Sequence, residues 1–165
     1  MSAAYAIRPI LDADLALVRA WRERPHVVEW WGEADVEPEA EKLANPNIDL
    51  WLVAHAGRPF AFIQDYRVHA WDPHPFRYLP DGARGLDLFV GEPDMLDQGH
   101  GQAFLRQHVE ALFARGVPAV GADPHPENLR ARRAYEKAGF ILASGPLDTP
   151  WGRAVLMDRY AAART

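Results

Sequence analysis

A short loop with two glycines has the clearest potential chemistry in this sequence. Residues 98–103 read Gln-Gly-His-Gly-Gln-Ala, follow an apolar run at 86–90 and open a stretch of helical periodicity at 104–115. A strand, a glycine loop and a helix in that order make an anion site, because the first helical N–H groups lack intrahelical partners and the helix dipole adds positive charge. Glycine also lets a phosphate approach the backbone without meeting a Cβ atom. The loop therefore predicts phosphate binding.

Other common anion and metal sites do not fit the sequence. A nucleotide-triphosphate loop ends in Gly-Lys-Ser or Gly-Lys-Thr, whereas this one ends in Gly-Gln-Ala. His69 and His74 are five residues apart in an irregular segment without a third convincing ligand, so no metal site is expected. The chain has no cysteine, which excludes disulfides, zinc thiolates and a cysteine nucleophile.

Length and composition indicate one domain spanning residues 1–165. The formal net charge of −5 argues against nucleic acid as a partner and leaves room for a cationic small molecule. No apolar run approaches the roughly 20 residues of a membrane span. The first residues lack the basic and apolar stretches of a signal peptide. We therefore expect a cytoplasmic protein, monomeric or homodimeric, without a membrane partner.

Periodicity and turn signals predict an α/β (α+β) domain around one mixed sheet. Asp12 is expected to cap a first helix that Pro25 ends, and Asn128 to cap a last helix that Gly139 ends. The four aromatics in and beside the long loop favour a functional role for it. Predicted strands are 6–10, 50–56, 59–68, 86–90, 118–122, 140–143 and 154–159; predicted helices are 12–25, 38–44, 99–115 and 128–138; turns or loops are expected at 26–32, 69–85 and 145–152.

Several segments together resemble a known enzyme family. Residues 128–140 read Asn-Leu-Arg-Ala-Arg-Arg-Ala-Tyr-Glu-Lys-Ala-Gly-Phe, and residues 28–32 read Val-Glu-Trp-Trp-Gly. Residues 84–87 read Arg-Gly-Leu-Asp, and Asp-Pro and Glu-Asn pairs precede the last helix. With the loop at 98–103, this pattern resembles GNAT-superfamily N-acetyltransferases, and within them the aminoglycoside 6′-N-acetyltransferases. Siderophore-type hydroxylysine acyltransferases are similar to the same pattern.

The resemblance implies the GNAT fold, a mostly antiparallel mixed sheet splayed between two parallel strands and flanked by about four helices. It also implies acetyl-coenzyme A in the gap as acyl donor, with no metal. A strand N–H near Phe89 or Val90 would polarise the thioester carbonyl, and the pantetheine arm would pair with that strand edge. The cofactor-binding residues that the resemblance implies are Phe89, Val90, Gln98, Gly99, His100, Gly101, Gln102, Ala103, Asn128 and Arg132.

Two residues match the catalytic positions of the family. Asp87 would take the proton of the attacking amine, and Tyr135 would protonate the departing thiolate. Each has an alternative, because Asp87 is also suited to a structural carboxylate bonded to loop amides and Tyr135 to core packing. His100 is expected to be solvated rather than catalytic, since the loop acts through its backbone.

On the acceptor side, aromatic rings would stack on a sugar and polar groups would meet ammonium groups. Trp30 or Trp31 also suits a core anchor. The loop 69–85 carries two Asp and two Arg, whereas the same loop of aminoglycoside enzymes is strongly acidic. An aminoglycoside, an N-hydroxylysine and a non-catalytic role in acyl-coenzyme A binding therefore stay open. The expected acceptor-side residues are Trp30, Trp31, Gln64, Asp65, Tyr66 and Asp123.

Overall fold

A computed structural model describes residues 4–162 of the chain. Within that range, seven strands form one sheet in the order β1-β2-β3-β4-β5-β7-β6. Short 3₁₀ helices lie at Asp12–Asp14, Val68–Ala70 and Pro93–Met95. The strands are β1 Ala6–Pro9, β2 Ile48–His55, β3 Arg58–Arg67, β4 Arg84–Val90, β5 Ala119–Ala122, β6 Ile141–Thr149 and β7 Gly152–Tyr160; the α-helices are α1 Leu15–Arg22, α2 Pro25–Trp31, α3 Glu39–Leu43, α4 His100–Ala114 and α5 Leu129–Lys137.

The sheet is antiparallel except where β4 meets β5. These two strands pair in parallel at Arg84 with Val120 and at Gly85 with Gly121. Beyond these pairs the strands diverge, so the remainder of β4, residues 86–90, has an unpaired edge towards β5. This gap confirms the predicted fold class, a mixed and mostly antiparallel sheet splayed at two parallel strands.

Helices cover both faces of the sheet. On one face, α4 and α5 pack with the inward side chains of β3 and β4, and Phe104, Leu105 and Leu112 are fully buried there. On the other face, α1 and α2 pack with Trp21 and Val27 against Phe62 and Phe89. Burying apolar surface on both faces stabilises the central strands and keeps the gap between β4 and β5 rigid.

Two segments differ from the sequence-based prediction. Residues 26–32 were expected to form a turn, but Pro25–Trp31 is the helix α2. Proline starts this helix without cost because the first helical N–H has no partner in any case. The final hairpin is also longer than expected: β6 reaches Thr149 and β7 begins at Gly152, so the predicted turn at 145–152 is reduced to residues 150–151.

The long loop after β3 is packed rather than extended into solvent. Phe76 and Leu79 are buried in a cluster with Val68, Ala119 and Leu156. Tyr78 donates a hydrogen bond to Asp158 Oδ2 at 2.8 Å. The loop is thus tied to β5 and β7, which fixes its position beside the open end of the sheet. Within residues 4–162, none of the helices has the length and apolar character needed to cross a membrane.

Candidate active site

Two adjoining cavities occupy the gap between the diverging strands. A cavity of about 520 Å³ lies between α2, the β4 edge and the N-termini of α4 and α5. A second cavity of about 260 Å³ lies between α2, α3, β3 and the start of α5. The lining residues that they share are Trp30, Trp31, Leu88, Asn128 and Ala131. Two reactants, one in each cavity, would meet beside Leu88.

The larger cavity has an anion-binding end at the start of α4. Gly99 has a left-handed backbone (φ +81°), which turns the chain into the helix. The first backbone bond into this turn runs from Ala103 N to Gly99 O at 3.3 Å, so the N–H groups of residues 100–102 precede it. Residues 99–102 line the cavity. A Cβ atom built on Gly101 meets nothing within 4 Å, so open space faces this backbone.

The two ends of the predicted phosphate loop have supporting roles. Gln98 Nε2 donates to Asp94 O at 2.6 Å, which braces the loop from outside the cavity. Ala103 begins the helical hydrogen bonding and does not line the cavity. His100 lines the cavity, and its Nδ1 lies 2.9 Å from the Tyr5 hydroxyl. The structure therefore brings Gly99 to Gln102 together and places Gln98 and Ala103 behind them.

Basic residues on α5 extend the positive lining of this cavity. Arg130, Arg133 and Lys137 line it, at a spacing of three and four residues that puts them on one helix face. The sequence-based prediction named Arg132 instead. Arg132 donates to Pro126 O at 2.8 Å and does not line the cavity, so that prediction is corrected. Asn128 lines both cavities, and its Oδ1 accepts a hydrogen bond from Ala131 N at 3.2 Å as the predicted helix cap.

The exposed edge of β4 offers backbone groups to the gap. Gly91 N donates to Phe60 O on β3 at 2.7 Å, while Val90 O bonds His26 Nε2 on α2 at 2.8 Å. Because alternate residues of an antiparallel ladder point to opposite sides, the N–H groups of Leu88 and Val90 face β5 and that of Phe89 faces β3. The prediction of a Phe89 amide donor is therefore wrong, and Val90 fits that role.

A pair of carboxyl groups lies in the smaller cavity. Asp87 Oδ2 accepts a hydrogen bond from Gln64 Nε2 at 2.9 Å. Asp123, the first residue after β5, shares a hydrogen bond with Asp87. Burial raises the pKa of Asp123 well above its usual value, and the charge of Asp87 and the shared hydrogen bond raise it further. Asp123 therefore retains a proton to higher pH than a solvated carboxyl group does.

Tyr135 lines the same cavity from α5. Its side chain is buried, with its ring 5.3 Å from that of Phe140. Burial raises the pKa of the Tyr135 phenol well above its usual value, and the nearby charges of Asp87 and Asp123 raise it further. The hydroxyl therefore keeps its proton at neutral pH and is available as a donor. The packing role and the donor role that the sequence left open are compatible here.

The Arg-Gly-Leu-Asp motif at residues 84–87 begins β4, and its side chains alternate between the two faces of the sheet. Arg84 pairs with Asp65 and with Asp49 Oδ2, the latter at 2.9 Å. Gly85 is required because a Cβ atom there would lie 2.2 Å from the Tyr66 ring. Leu86 is buried in the core cluster that contains α4, while Asp87 faces the smaller cavity. The glycine thus lets Tyr66 approach and form part of the cavity wall.

The prediction that Asp65 contacts the acceptor is wrong. Gln64 and Tyr66 line the smaller cavity, so Asp65 between them points to the opposite face of the sheet. It is fully buried there, 2.9 Å from His108 Nε2 and 2.7 Å from Trp51 Nε1. Burial raises the pKa of Asp65, but the hydrogen bond from His108 and the charge of Arg84 outweigh it and hold the pKa below its usual value.

Aromatic rings form most of the remaining wall of the smaller cavity. Trp31 packs against Phe89 with ring centroids 5.1 Å apart, so it is both a core anchor and a wall residue. Trp30 is 37% exposed and lies 5.6 Å from the His125 ring, which makes it the more accessible of the two. The charged, histidine and tryptophan lining residues that the sequence analysis did not assign to the site are Glu37, Lys42, Trp71, His125 and Trp151.

Residues 11–144 match the acetyltransferase (GNAT) domain family, which is more than half of the chain. The chain belongs to the GNAT acetyltransferase family. Acyl transfer is therefore its reaction class, in agreement with a cavity lined by the N-terminal residues of α4 beside a cavity that contains carboxyl groups and a phenol.

Individual GNAT relatives agree with this assignment. The chain is 34% identical to aminoglycoside N(6′)-acetyltransferase type 1 of Klebsiella pneumoniae, over 96% of this chain and 85% of the relative. It is 44% identical to a kanamycin resistance protein of Rhizobium radiobacter, over 51% of this chain and 80% of the relative. The crystal structure of AAC(6′)-Ib with coenzyme A and kanamycin is similar with a TM-score of 0.84 and 34% identity, covering 94% of each chain.

Proposed function

We propose that this GNAT enzyme transfers the acetyl group of acetyl-coenzyme A to the 6′-amine of an aminoglycoside. The observation that carries the proposal is the Asp87–Asp123 pair, which lies in an aromatic cavity next to the phosphate-binding cavity. The relatives named above support the acceptor class, since one is by name an aminoglycoside N(6′)-acetyltransferase and the other a kanamycin resistance protein. A structure with a TM-score of 0.84 contains both coenzyme A and kanamycin.

The larger cavity fits coenzyme A in its chemistry. The amides of residues 99–102 would bind the diphosphate, and the open space at Gly101 leaves room for it. Arg130, Arg133 and Lys137 would offset the remaining phosphate charge. The N–H groups of Leu88 and Val90 on the open edge of β4 would pair with the pantetheine arm and polarise the thioester carbonyl.

The smaller cavity supplies the proton transfers. Asp87 would attract the acceptor's ammonium group and take one proton from it, directly or through water, which frees the nitrogen lone pair. The nitrogen then forms the new bond to the acetyl carbon while the carbon–sulfur bond breaks. Tyr135 would give its proton to the departing sulfur, which leaves as the free thiol. As the amide forms, the nitrogen loses its second proton, which restores the Tyr135 phenol directly or through water, and Asp87 releases the first proton to solvent. The products are the acetamide, coenzyme A and one proton.

The cavity walls fit an amino sugar better than a long flexible amine. Trp30, Trp71 and Trp151 offer flat faces on which sugar rings can stack, and Glu37 adds a carboxylate. Lys42 also lies in the wall, and the loop 69–85 carries no net charge. The cavity therefore offers fewer carboxylates to a polycation than a cavity with a strongly acidic loop would. We expect the tightest binding for acceptors with few amines.

Thiol release from acetyl-coenzyme A tests the acceptor. We expect release with kanamycin and ribostamycin, and none with an aminoglycoside that carries a hydroxyl group at the 6′ position. Release with N-hydroxylysine alone would instead support a siderophore-type acyltransferase. Binding of acetyl-coenzyme A without thiol release for any amine, polyamines and peptide N-termini included, would support a non-catalytic binding module. Either of these results would overturn the proposal.

We also propose that residues 1–165 act as one domain in the cytoplasm, where acetyl-coenzyme A is available, as a monomer or homodimer. The single sheet with its three adjoining clusters supports one folding unit. A single cooperative thermal transition would agree with this organisation, and two resolved transitions would contradict it. Sedimentation velocity distinguishes the monomer from the dimer.

A further inference from the structure

Lys42 on α3 lies in the wall of the smaller cavity, as does the titratable side chain of His125. The Lys42 side chain is only 11% exposed. The ammonium donates to Gln64 Oε1 at 2.9 Å and lies 5.4 Å from the centre of the Trp31 ring. An ammonium group at this position repels a cationic acceptor and so weakens its binding. We therefore expect Lys42 to act on the catalytic groups.

Lys42 determines how the Gln64 amide is oriented. An ammonium group only donates hydrogen bonds, so the Gln64 atom that faces it must be the carbonyl oxygen. The amide nitrogen is then turned towards Asp87 and donates to Oδ2 at 2.9 Å. Without Lys42 only the contact with Asp87 holds the amide, and the Gln64 side chain gains freedom to turn its nitrogen away from the carboxylate. The contact between Lys42 and Gln64 therefore keeps a donor aimed at Asp87.

Glu39 is the acidic partner of Lys42, but it is shared with Arg22. Glu39 Oε2 is 3.5 Å from the Lys42 ammonium but only 2.5 Å from Arg22 Nη1, and both Arg22 and Glu39 are buried. The charges of Arg22 and Glu39 offset each other, so a positive charge is left facing Asp87 across the Gln64 amide. The Arg22 guanidinium also donates to the carbonyls of residues 33 and 36, which anchors α3.

Several other titratable groups lie near Asp87. From β5 the Asp123 carboxyl shares its hydrogen bond, and from α5 and β3 the phenols of Tyr135 and Tyr66 lie within electrostatic range. Glu37, ahead of α3, lines the same cavity. His125 also lines this cavity, so among the lining residues that the structure describes Glu37 is of like charge to Asp87, and Lys42 and His125 are the basic ones.

We propose that Lys42 is a positioning residue for acetyl transfer: by holding the Gln64 carbonyl it keeps the Gln64 amide nitrogen aimed at Asp87, the carboxylate that receives the acceptor's ammonium. Its kinetic consequence rests on the proposed function. Loss of Lys42 removes a positive charge and the contact that holds the Gln64 donor towards Asp87, so we expect the carboxyl pair to take up a further proton at higher pH.

The kinetic test uses Lys42→Met, Gln64→Leu and the double variant, with kcat/KM for kanamycin measured from pH 5 to 9. Lys42→Met should lower kcat/KM roughly five- to tenfold at pH 7, less than the 10²-fold typical of losing a general base. On the acidic side of the profile, the midpoint of the fall in kcat/KM should move to higher pH. In the Gln64→Leu background the same change should have little further effect, because the two residues act as one unit. Additive losses, or an unmoved acid limb, would overturn the proposal.

Two further variants separate positioning from folding. Gln64→Glu keeps an acceptor for Lys42 but removes the donor to Asp87, so its acid limb should also move upwards while the protein stays folded. Glu41→Gln changes an exposed charge on the same helix and should leave the pH profile unchanged. If the pH profile shifts as much in Glu41→Gln as in Lys42→Met, Lys42 acts through the overall charge of α3 and not through its contact with Gln64. That result would overturn the proposal.

A titration without substrate keeps this proposal separate from the proposed function. The side-chain carboxyl carbons of aspartate are followed by carbon-13 NMR in the full-length protein without acceptor or coenzyme A. The second protonation of the Asp87–Asp123 pair should occur at higher pH in Lys42→Met than in the wild type. This result together with no acetylation of any aminoglycoside would refute the proposed function alone. An unchanged titration in an active enzyme would refute the role of Lys42 alone.

Discussion

The carboxyl groups of Asp87 and Asp123 meet where β4 and β5 separate. The parallel register pairs Gly85 with Gly121, and two residues further along each strand it places Asp87 opposite Asp123. The backbones have parted by then, but the side chains still share a hydrogen bond. Burial and the charge of Asp87 raise the pKa of Asp123, which favours a proton retained between the two carboxyl groups.

This shared proton predicts proton release when an acceptor binds. Below about pH 6 an amine acceptor is fully protonated, and a second ammonium group near Asp123 favours the charged carboxylate, so that Asp123 gives up its proton. We expect release of up to about one proton per acceptor. Calorimetry of kanamycin binding in two buffers that differ in ionisation enthalpy measures it. Asp123→Asn is the control, and equal release from both proteins would exclude Asp123 as the source.

The raised pKa of Asp123 also predicts how stability depends on pH. The unfolded chain loses the Asp123 proton near pH 4, whereas the folded protein retains it to higher pH. Above pH 4 the folded state therefore binds more protons, and the contribution of Asp123 to the free energy of unfolding falls as pH rises. Asn cannot titrate, so the stability of Asp123→Asn relative to wild type should increase from pH 5 to pH 8. Parallel stability curves from urea unfolding would contradict this.

The local features of the site were readable from the sequence. The glycine loop and the Asn128 cap depend on neighbouring residues, and both lie where periodicity indicated. Alternation along β3 also predicts that Asp65 points away from the smaller cavity, because Gln64 and Tyr66 on either side point into it. The resemblance to the family did not take this alternation into account. The contact between Asp87 and Asp123, and the positions of Lys42 and Trp151, depend on how distant elements pack, so no local pattern predicts them.

The loop prediction is tested by Gly101→Val. Gly101 faces open space, so the added side chain would fill the region of the diphosphate without disturbing the fold. We expect the affinity for acetyl-coenzyme A to fall at least tenfold, or about 1.4 kcal/mol. Gly145→Val is the matched control, because a Cβ atom there also meets nothing within 4 Å and β6 lies away from both cavities. Unchanged affinity in folded Gly101→Val would reject the loop as the diphosphate site.

Tyr135→Phe tests the proton donor. The substitution keeps the buried ring and its contact with Phe140 and removes only the hydroxyl group. Loss of a general acid lowers rates by about 10² to 10⁴-fold, so kcat should fall in this range while the affinity for coenzyme A stays the same. Single-turnover kinetics isolate the chemical step. A rate close to that of the wild type in such an experiment would reduce Tyr135 to a packing role.

The most direct test of the whole account is the pH dependence of kcat/KM for kanamycin in Asp87→Asn. The substitution keeps the size of the side chain and its contact with Gln64 but removes the charge that draws in the ammonium and accepts its proton. We predict a loss of about 10²-fold or more at pH 7, partly recovered at higher pH where the free amine is more abundant. A loss that is equal at every pH, with a collapsed melting temperature, would contradict the account and make Asp87 a structural residue.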